Sequence, residues 1–174
     1  GKSSLLRRVG KIPLPDAVKR CTRLPILLQL RRVVDAEASV RVQLTHAEGD
    51  VVPFTREDGD VLAAVTAAQA EAVSRAKSEF AKDYVVEVTV HRPDVPNVTL
   101  VDLPGFFDPD THERADAEAV VGMAERFIDM QGTLVLHVVG ADQDYGSVLR
   151  KEKLGAAAKT APGKVSVVLT KLDL

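Results

Sequence analysis

The chain has a single cysteine, Cys21, among its 174 residues. An internal disulfide is therefore impossible, and a reducing compartment fits. It has no surplus of either charge: 23 basic and 25 acidic residues leave −2. A nucleic-acid partner would call for a basic excess, so that class is set aside. No apolar run approaches the ~20 residues that a membrane-spanning helix requires. Internal repeats are absent, and the only compositional bias is an alanine-rich stretch read below as a helix. The length is that of one domain with a real core.

Against that plain background, the opening Gly1-Lys2-Ser3-Ser4-Leu5-Leu6 stands out. It matches the rear of a phosphate-binding loop, G-x-x-x-x-G-K-[ST], with the front of the loop outside the sequence. In such a loop, backbone N–H groups surround a phosphate and leave no room for a side chain at the glycine. The lysine lies against the β- and γ-phosphates, and the following hydroxyl ligates Mg²⁺. Lys2 and Ser3 would take those roles. The same tetrapeptide is also common in surface turns, so it does not decide the matter alone.

Apolar periodicity supplies the rest of the frame. Ser3 to Val9 reads as a short helix stopped near Gly10, and Leu24 to Leu30 as a strand buried on both faces. Ser39 to Thr45 alternates and is expected to hairpin onto the preceding strand. Residues 47–59 read as a polar loop, with Gly49 and Pro53. Asp60 to Phe80 has helical spacing over about six turns. Tyr84–His91 and Val98–Val101 read as strands paired with each other. Glu113–Met130 reads as a helix with Ala117, Val120, Val121, Ala124, Phe127 and Ile128 inward. Thr133–Val139 is an apolar strand, Ser147–Lys159 a helix and Val165–Leu169 the last strand. Strands alternating with helices imply an α/β fold with a mostly parallel sheet, helices on both faces and antiparallel hairpins at one edge. Ligands in such sheets sit at the carboxyl ends of strands, where Asp102, Gly140 and Thr170 fall.

Three further stretches carry chemistry. Asp102-Leu103-Pro104-Gly105 closes a strand: the carboxylate can hold Mg²⁺, usually through water, and the glycine N–H can approach a γ-phosphate. An ordinary strand-to-loop turn also favours Asp, Pro and Gly. Thr170-Lys171-Leu172-Asp173 offers a carboxylate able to accept from guanine N1–H and its 2-amino group, a donor pair adenine lacks. The aliphatic part of Lys171 can lie over the base. The same run could be a charged surface turn. Thr22 precedes a strand; its hydroxyl could complete a Mg²⁺ shell and its backbone orient a water, or it could simply open the strand. Cys21 beside it reads as a small packing residue. Taken in this order, the pieces form the phosphate, magnesium and base elements of a GTP site.

Several of these runs resemble the dynamin superfamily of large GTPases. Cys21-Thr22-Arg23-Leu24-Pro25-Ile26-Leu27-Leu28-Gln29-Leu30 looks like its second motif, Val95 to Gly105 like its third, and Val167 to Leu174 like its fourth. Ala141-Asp142-Gln143-Asp144 is similar to a run that follows its fourth core strand. The resemblance implies a P-loop NTPase fold whose first strand is missing here, so that 1–174 is a GTPase domain cut at both ends. It implies hydrolysis of GTP with Mg²⁺. Gly1, Lys2, Ser3 and Ser4 would hold phosphate and metal, Thr22 would position water, Asp102 and Gly105 would sense the γ-phosphate, and Lys171 and Asp173 would hold guanine beside Thr170. In role, Thr22, Lys2 and Gly105 are the catalytic candidates, and Ser3, Thr22 and Asp102 the metal candidates. It implies self-assembly through the GTPase face, with membrane or cytoskeleton contacted by regions absent here, and a cytoplasmic, membrane-associated or organellar setting. The alternative is a nucleotide-binding or pseudo-GTPase assembly module without efficient turnover. A missing central strand would leave its neighbours unpaired, so this polypeptide alone is expected to be poorly stable.

The base assignment generates one test. Asp173→Asn should weaken guanine nucleotides and favour xanthine nucleotides, because an acceptor becomes partly a donor. Competition binding reads this, and unchanged preference would remove Asp173 from the base pocket.

Overall fold

The computed structural model describes residues 2–15, 22–35, 37–56, 59–105, 114–140 and 165–170. The chain forms two compact units, one spanning Lys2–Gly105 and the other lying within Phe106–Leu174.

The first unit is a five-stranded sheet under two helices. Helix α1 covers Lys2–Gly10, and the strands are β1 (Ile26–Arg32), β2 (Ser39–His46), β3 (Val51–Arg56), β4 (Tyr84–Arg92) and β5 (Val98–Asp102). Helix α2, Val61–Ala76, falls between β3 and β4. The strand order is β3-β2-β4-β1-β5. β1 runs parallel to β4 and antiparallel to β5, while β2 is antiparallel to both β4 and β3. The sheet is therefore mixed, with a larger antiparallel share than the alternation of strands and helices suggested.

Two expected hairpins do not form. β2 pairs with β4 along its whole length, from Ser39↔His91 to His46↔Tyr84, and not with β1. β4 and β5 do not pair with each other, because β1 lies between them. Side-chain and backbone bonds at the strand ends account for this. Asn97, in the β4–β5 connection, accepts from Arg32 N–H through Oδ1 at 2.7 Å, and Val33 N–H donates to Arg92 O at 3.2 Å. The short connection thus passes over the end of β1, whose exposed backbone donors would otherwise be left unmet.

β3 was not expected at all. Gly49 and Pro53 had pointed to a loop. Gly49 adopts φ 97 in the turn where its N–H donates to His46 O at 2.8 Å, so it makes the hairpin possible. β3 lies at the sheet edge, where a proline costs no ladder bond to an outer neighbour.

β1 alternates and is not buried on both faces: Ile26, Leu28 and Leu30 are fully buried, whereas Leu27, Gln29 and Arg31 are half-buried. The register stacks Leu28 beside Val88 and Val88 beside Val42, so one sheet face is continuous and apolar. Ala64, Val65, Ala68 and Ala72 of α2 join these residues in one core cluster. Alanines at four-residue spacing keep the helix surface shallow and let it approach the strands closely. Asp60 caps α2, its Oδ1 accepting from Ala63 N–H at 2.9 Å. The opposite sheet face carries Gln29, Arg31, Glu87, Thr89 and His91, all half-buried.

In the second unit, α3 spans Arg114–Ile128 and buries Ala117, Val120, Val121, Met123 and Ala124. Four of these match the expected inward face; Met123 is additional, and Phe127 and Ile128 are half-buried. β6 (Val135–Gly140) pairs in parallel with β7 (Val165–Thr170), from Val135↔Val165 to Gly140↔Thr170. The expected helix over Ser147–Lys159 and the run Ala141 to Asp144 lie outside the described residues.

α1 meets the sheet at Gly10. A Cβ there would stand 2.9 Å from Leu28 Cδ2 and 3.4 Å from Ile12 Cγ1, both in the buried core. Gly10→Val should therefore push α1 off β1 and cost about 1–3 kcal/mol. Denaturant unfolding checks this; an unchanged midpoint would show that the glycine does not set the helix–strand spacing.

Candidate functional site

The site forms where β5 ends and β1 begins. The register pairs Ile26 with Asp102, so the segment entering β1 arrives beside the carboxylate that closes β5. α1 brings its first turn to the same point. Ser3, Thr22 and Asp102 are all buried, at 9, 8 and 2% exposure. Buried polar groups of this kind need partners, and here they are one another's.

Ser3 Oγ donates to Asp102 Oδ2 at 2.6 Å. Thr22 Oγ1 donates to the same oxygen at 3.3 Å. The other carboxylate oxygen, Oδ1, is buried and has no hydrogen-bond partner among the described residues. Lys2 completes the cluster: its Nζ lies 3.5 Å from the point where a side chain at Gly105 would begin. That separation is an ordinary contact, so the described structure does not itself demand a glycine at 105. It does bring Lys2, Ser3, Thr22, Asp102 and Gly105 to one place from three distant stretches of sequence.

Burial dominates the electrostatics of Asp102. Removal from water pushes its carboxyl above the ordinary value of 3.8, and the Ser3 hydrogen bond, the Lys2 charge and the Thr22 hydrogen bond oppose that rise. A carboxylate left with one oxygen bare in such surroundings is poised to accept positive charge.

The donor set fits Mg²⁺. That ion prefers oxygen ligands and is commonly held by one or two protein groups, with water and substrate phosphates supplying the rest. Among the described residues no cluster of three or more His, Cys, Asp or Glu side chains could hold a metal, as expected of a site with one carboxylate and two hydroxyls. The N-terminal turn of α1 adds backbone N–H groups without intrahelical acceptors, which suit an anion. α1 carries no acidic residue in its first turn to compete.

The remaining candidates are distributed as follows. Ser4 is exposed on the first turn of α1. Thr170 ends β7, and Gly140 ends β6 opposite it, in the second unit. Gly1, Cys21, Lys171 and Asp173 lie outside the described residues, so the expected meeting of Lys2 with Asp173 does too.

Sequence reading missed Gln69. It is buried at 6% exposure on α2, and its Oε1 accepts from Arg23 N–H at 3.1 Å. The available signal was a lone amide at helical spacing on an inward face otherwise built of alanine and valine. The neighbouring backbone is pinned as well: Ala81 N–H donates to Arg23 O at 3.1 Å and Val86 N–H to Pro25 O at 3.0 Å.

An α/β sheet with Lys2 and Ser3 at a helix start, facing a strand-end aspartate and a loop threonine, has the build of a P-loop nucleotide-binding domain. The model of the dynamin family matches residues 1–172, and the chain belongs to that family, as a P-loop GTPase domain. Putative dynamin-related protein 4A of Arabidopsis thaliana is 28% identical over 176 residues, covering 100% of this chain and 56% of that protein. Dynamin-related protein 4C of the same plant is also 28% identical, with 100% of this chain matched to 25% of its length. Interferon-induced GTP-binding protein MxC of Danio rerio is 27% identical, again over 100% of this chain and 27% of its own length. The chain thus spans a quarter to just over half of the curated relatives named here.

Asp102 supplies a pH test. Its raised pKa means that the folded state binds this proton more tightly than the unfolded state does. Stability from this group is therefore greatest below 3.8 and falls as pH rises through the raised value. Asp102→Asn removes the charge and keeps an acceptor oxygen. Its stability relative to wild type, without nucleotide, should improve as pH climbs through that window. A difference constant with pH would show that burial does not strain the carboxylate.

Proposed function

We propose that this chain is the GTP-binding and GTP-hydrolysing part of a dynamin-type large GTPase. The observation that carries the reading is the shared carboxylate: Ser3 and Thr22 both donate to Asp102 Oδ2, while Oδ1 stays buried and bare. Such a constellation has little use in a purely structural domain, where a buried, partly unmet carboxylate costs stability. It has a clear use around a metal-bound triphosphate.

In this reading the ammonium of Lys2 lies against the β- and γ-phosphates, and the first-turn amides of α1 with Gly1 and Ser4 surround them. Ser3, Thr22 and Asp102 would hold Mg²⁺, which when bound would neutralise phosphate charge. Thr22 places the attacking water. The Gly105 N–H faces the γ-phosphate, and Thr170, Lys171 and Asp173 receive guanine. Water attacks the γ-phosphorus in line, the bond to the β,γ-bridging oxygen breaks, and GDP and phosphate leave. Positioning and electrostatics carry the rate, without a covalent intermediate.

Relatives named as dynamin-related proteins and as GTP-binding proteins support the substrate. By the same kinship we extend the proposal to self-assembly through the nucleotide face and to membrane remodelling or cytoskeletal work by parts of the protein outside this chain. The setting that follows is cytoplasmic, with association to a membrane or organelle.

Lys2→Ala and Thr22→Ala in the full-length protein should each lower phosphate release from GTP by about 100-fold or more. Wild-type turnover in both variants would end the assignment of hydrolysis to this site.

A further inference from the structure

We infer that Gln69 is the residue that positions Thr22 for the reaction, an inference that rests on the hydrolytic reading above. Gln69 sits mid-way along α2 among Val65, Ala68 and Ala72, and a polar side chain buried there costs stability unless it finds a partner. Its partner is the Arg23 N–H, at 3.1 Å. That N–H belongs to the peptide unit linking Thr22 to Arg23. The unit is planar, so holding its N–H fixes the plane and with it the direction of the Thr22 carbonyl.

Arg23 is gripped a second time, its carbonyl accepting from Ala81 N–H at 3.1 Å, although its side chain is exposed. The grip therefore serves the backbone rather than the arginine side chain. Immediately before this pinned residue, the Thr22 hydroxyl reaches Asp102 Oδ2 at 3.3 Å. Gln69 bonds to none of Lys2, Ser3, Asp102 or Gly105 in the hydrogen bonds described, so it acts through Thr22 and is a positioning residue. A side chain needed only to fill space at this point of α2 would pack better as leucine or methionine. The amide is there for its acceptor oxygen.

The test compares three substitutions in the full-length protein turning over GTP. Gln69→Met keeps length and loses the acceptor. Gln69→Asn keeps the amide and withdraws it by one methylene. Gln69→Glu keeps an acceptor oxygen at full reach, whether or not it is protonated. Met and Asn should lower kcat about 10–100-fold, as expected for a misplaced reacting geometry, with KM and GDP affinity within about threefold of wild type. Glu should retain at least about half of the wild-type kcat, since the Arg23 N–H still has its acceptor. Adding Thr22→Ala to Gln69→Asn should slow the enzyme by less than the product of the two single effects, because the hydroxyl lost in one is among the groups misplaced in the other.

Wild-type kcat in both the Met and Asn variants would overturn the inference. So would a loss in the Glu variant as deep as that in the Met variant, or a raised KM at unchanged kcat. If Met fails to fold, Asn decides; if neither folds, Gln69 is a structural residue and the inference is wrong. A slow Thr22→Ala beside a normal Gln69→Met removes only the role of Gln69. Wild-type turnover in Lys2→Ala and Thr22→Ala removes the hydrolytic reading, and this inference with it.

Discussion

A single carboxylate oxygen, Asp102 Oδ2, takes a hydrogen bond from each of two hydroxyls that lie far apart in sequence, Ser3 and Thr22. Each bond ties a separate segment to the end of β5: one the start of α1, the other the loop entering β1. Removing the carboxylate would leave two buried hydroxyls without their acceptor, and removing either hydroxyl would strip one bond from a group already short of partners. The other oxygen of the same carboxylate has none among the described residues. The structure around Asp102 is thus organised to leave one strong acceptor unused in a buried place.

What brings these groups together is the placement of β1. It sits between β4 and β5, with Ile26 opposite Asp102 on one side and opposite Val86 on the other. Ile26, Leu28 and Leu30 anchor it in the core, and complete burial of each such side chain is worth about 1.5–3 kcal/mol. The residues just upstream inherit that rigidity through Pro25 and Arg23, whose carbonyls accept from Val86 and Ala81. On the other flank, Gly10 lets α1 settle against Leu28, which fixes where Lys2 and Ser3 arrive. Core packing and site geometry are therefore one problem in this unit: the same strand that fills the centre sets the position of Thr22.

The sequence revealed the elements better than their partners. α1, α2, α3 and six of the seven strands among the described residues lie close to where periodicity placed them, because each carries its own local pattern. Pairing failed twice, at β1–β2 and β4–β5, because neighbours in sequence make the cheapest guess and nothing local announces a strand inserted between them. Asn97, which guides one of those crossings, looks like any turn residue until its partner Arg32 is seen. β3 was hidden by Pro53, whose tolerance at an edge depends on tertiary placement. That Lys2, Ser3, Thr22, Asp102 and Gly105 would come together was readable, because the phosphate and metal chemistry proposed for them restricts residue type. Gln69 was not, since its role is to meet a backbone N–H, and any side chain with an acceptor of the right reach could serve.

The most direct check is the affinity for GTP with and without Mg²⁺, measured by calorimetry on the full-length protein and on Ser3→Ala. If Ser3 and Asp102 hold the ion as described, removing Mg²⁺ should weaken GTP binding to the wild type by tenfold or more, about 1.4 kcal/mol. Ser3→Ala should bind weakly in both conditions and show little of that difference. Wild-type affinity indifferent to Mg²⁺, or a full Mg²⁺ effect retained in Ser3→Ala, would contradict the account.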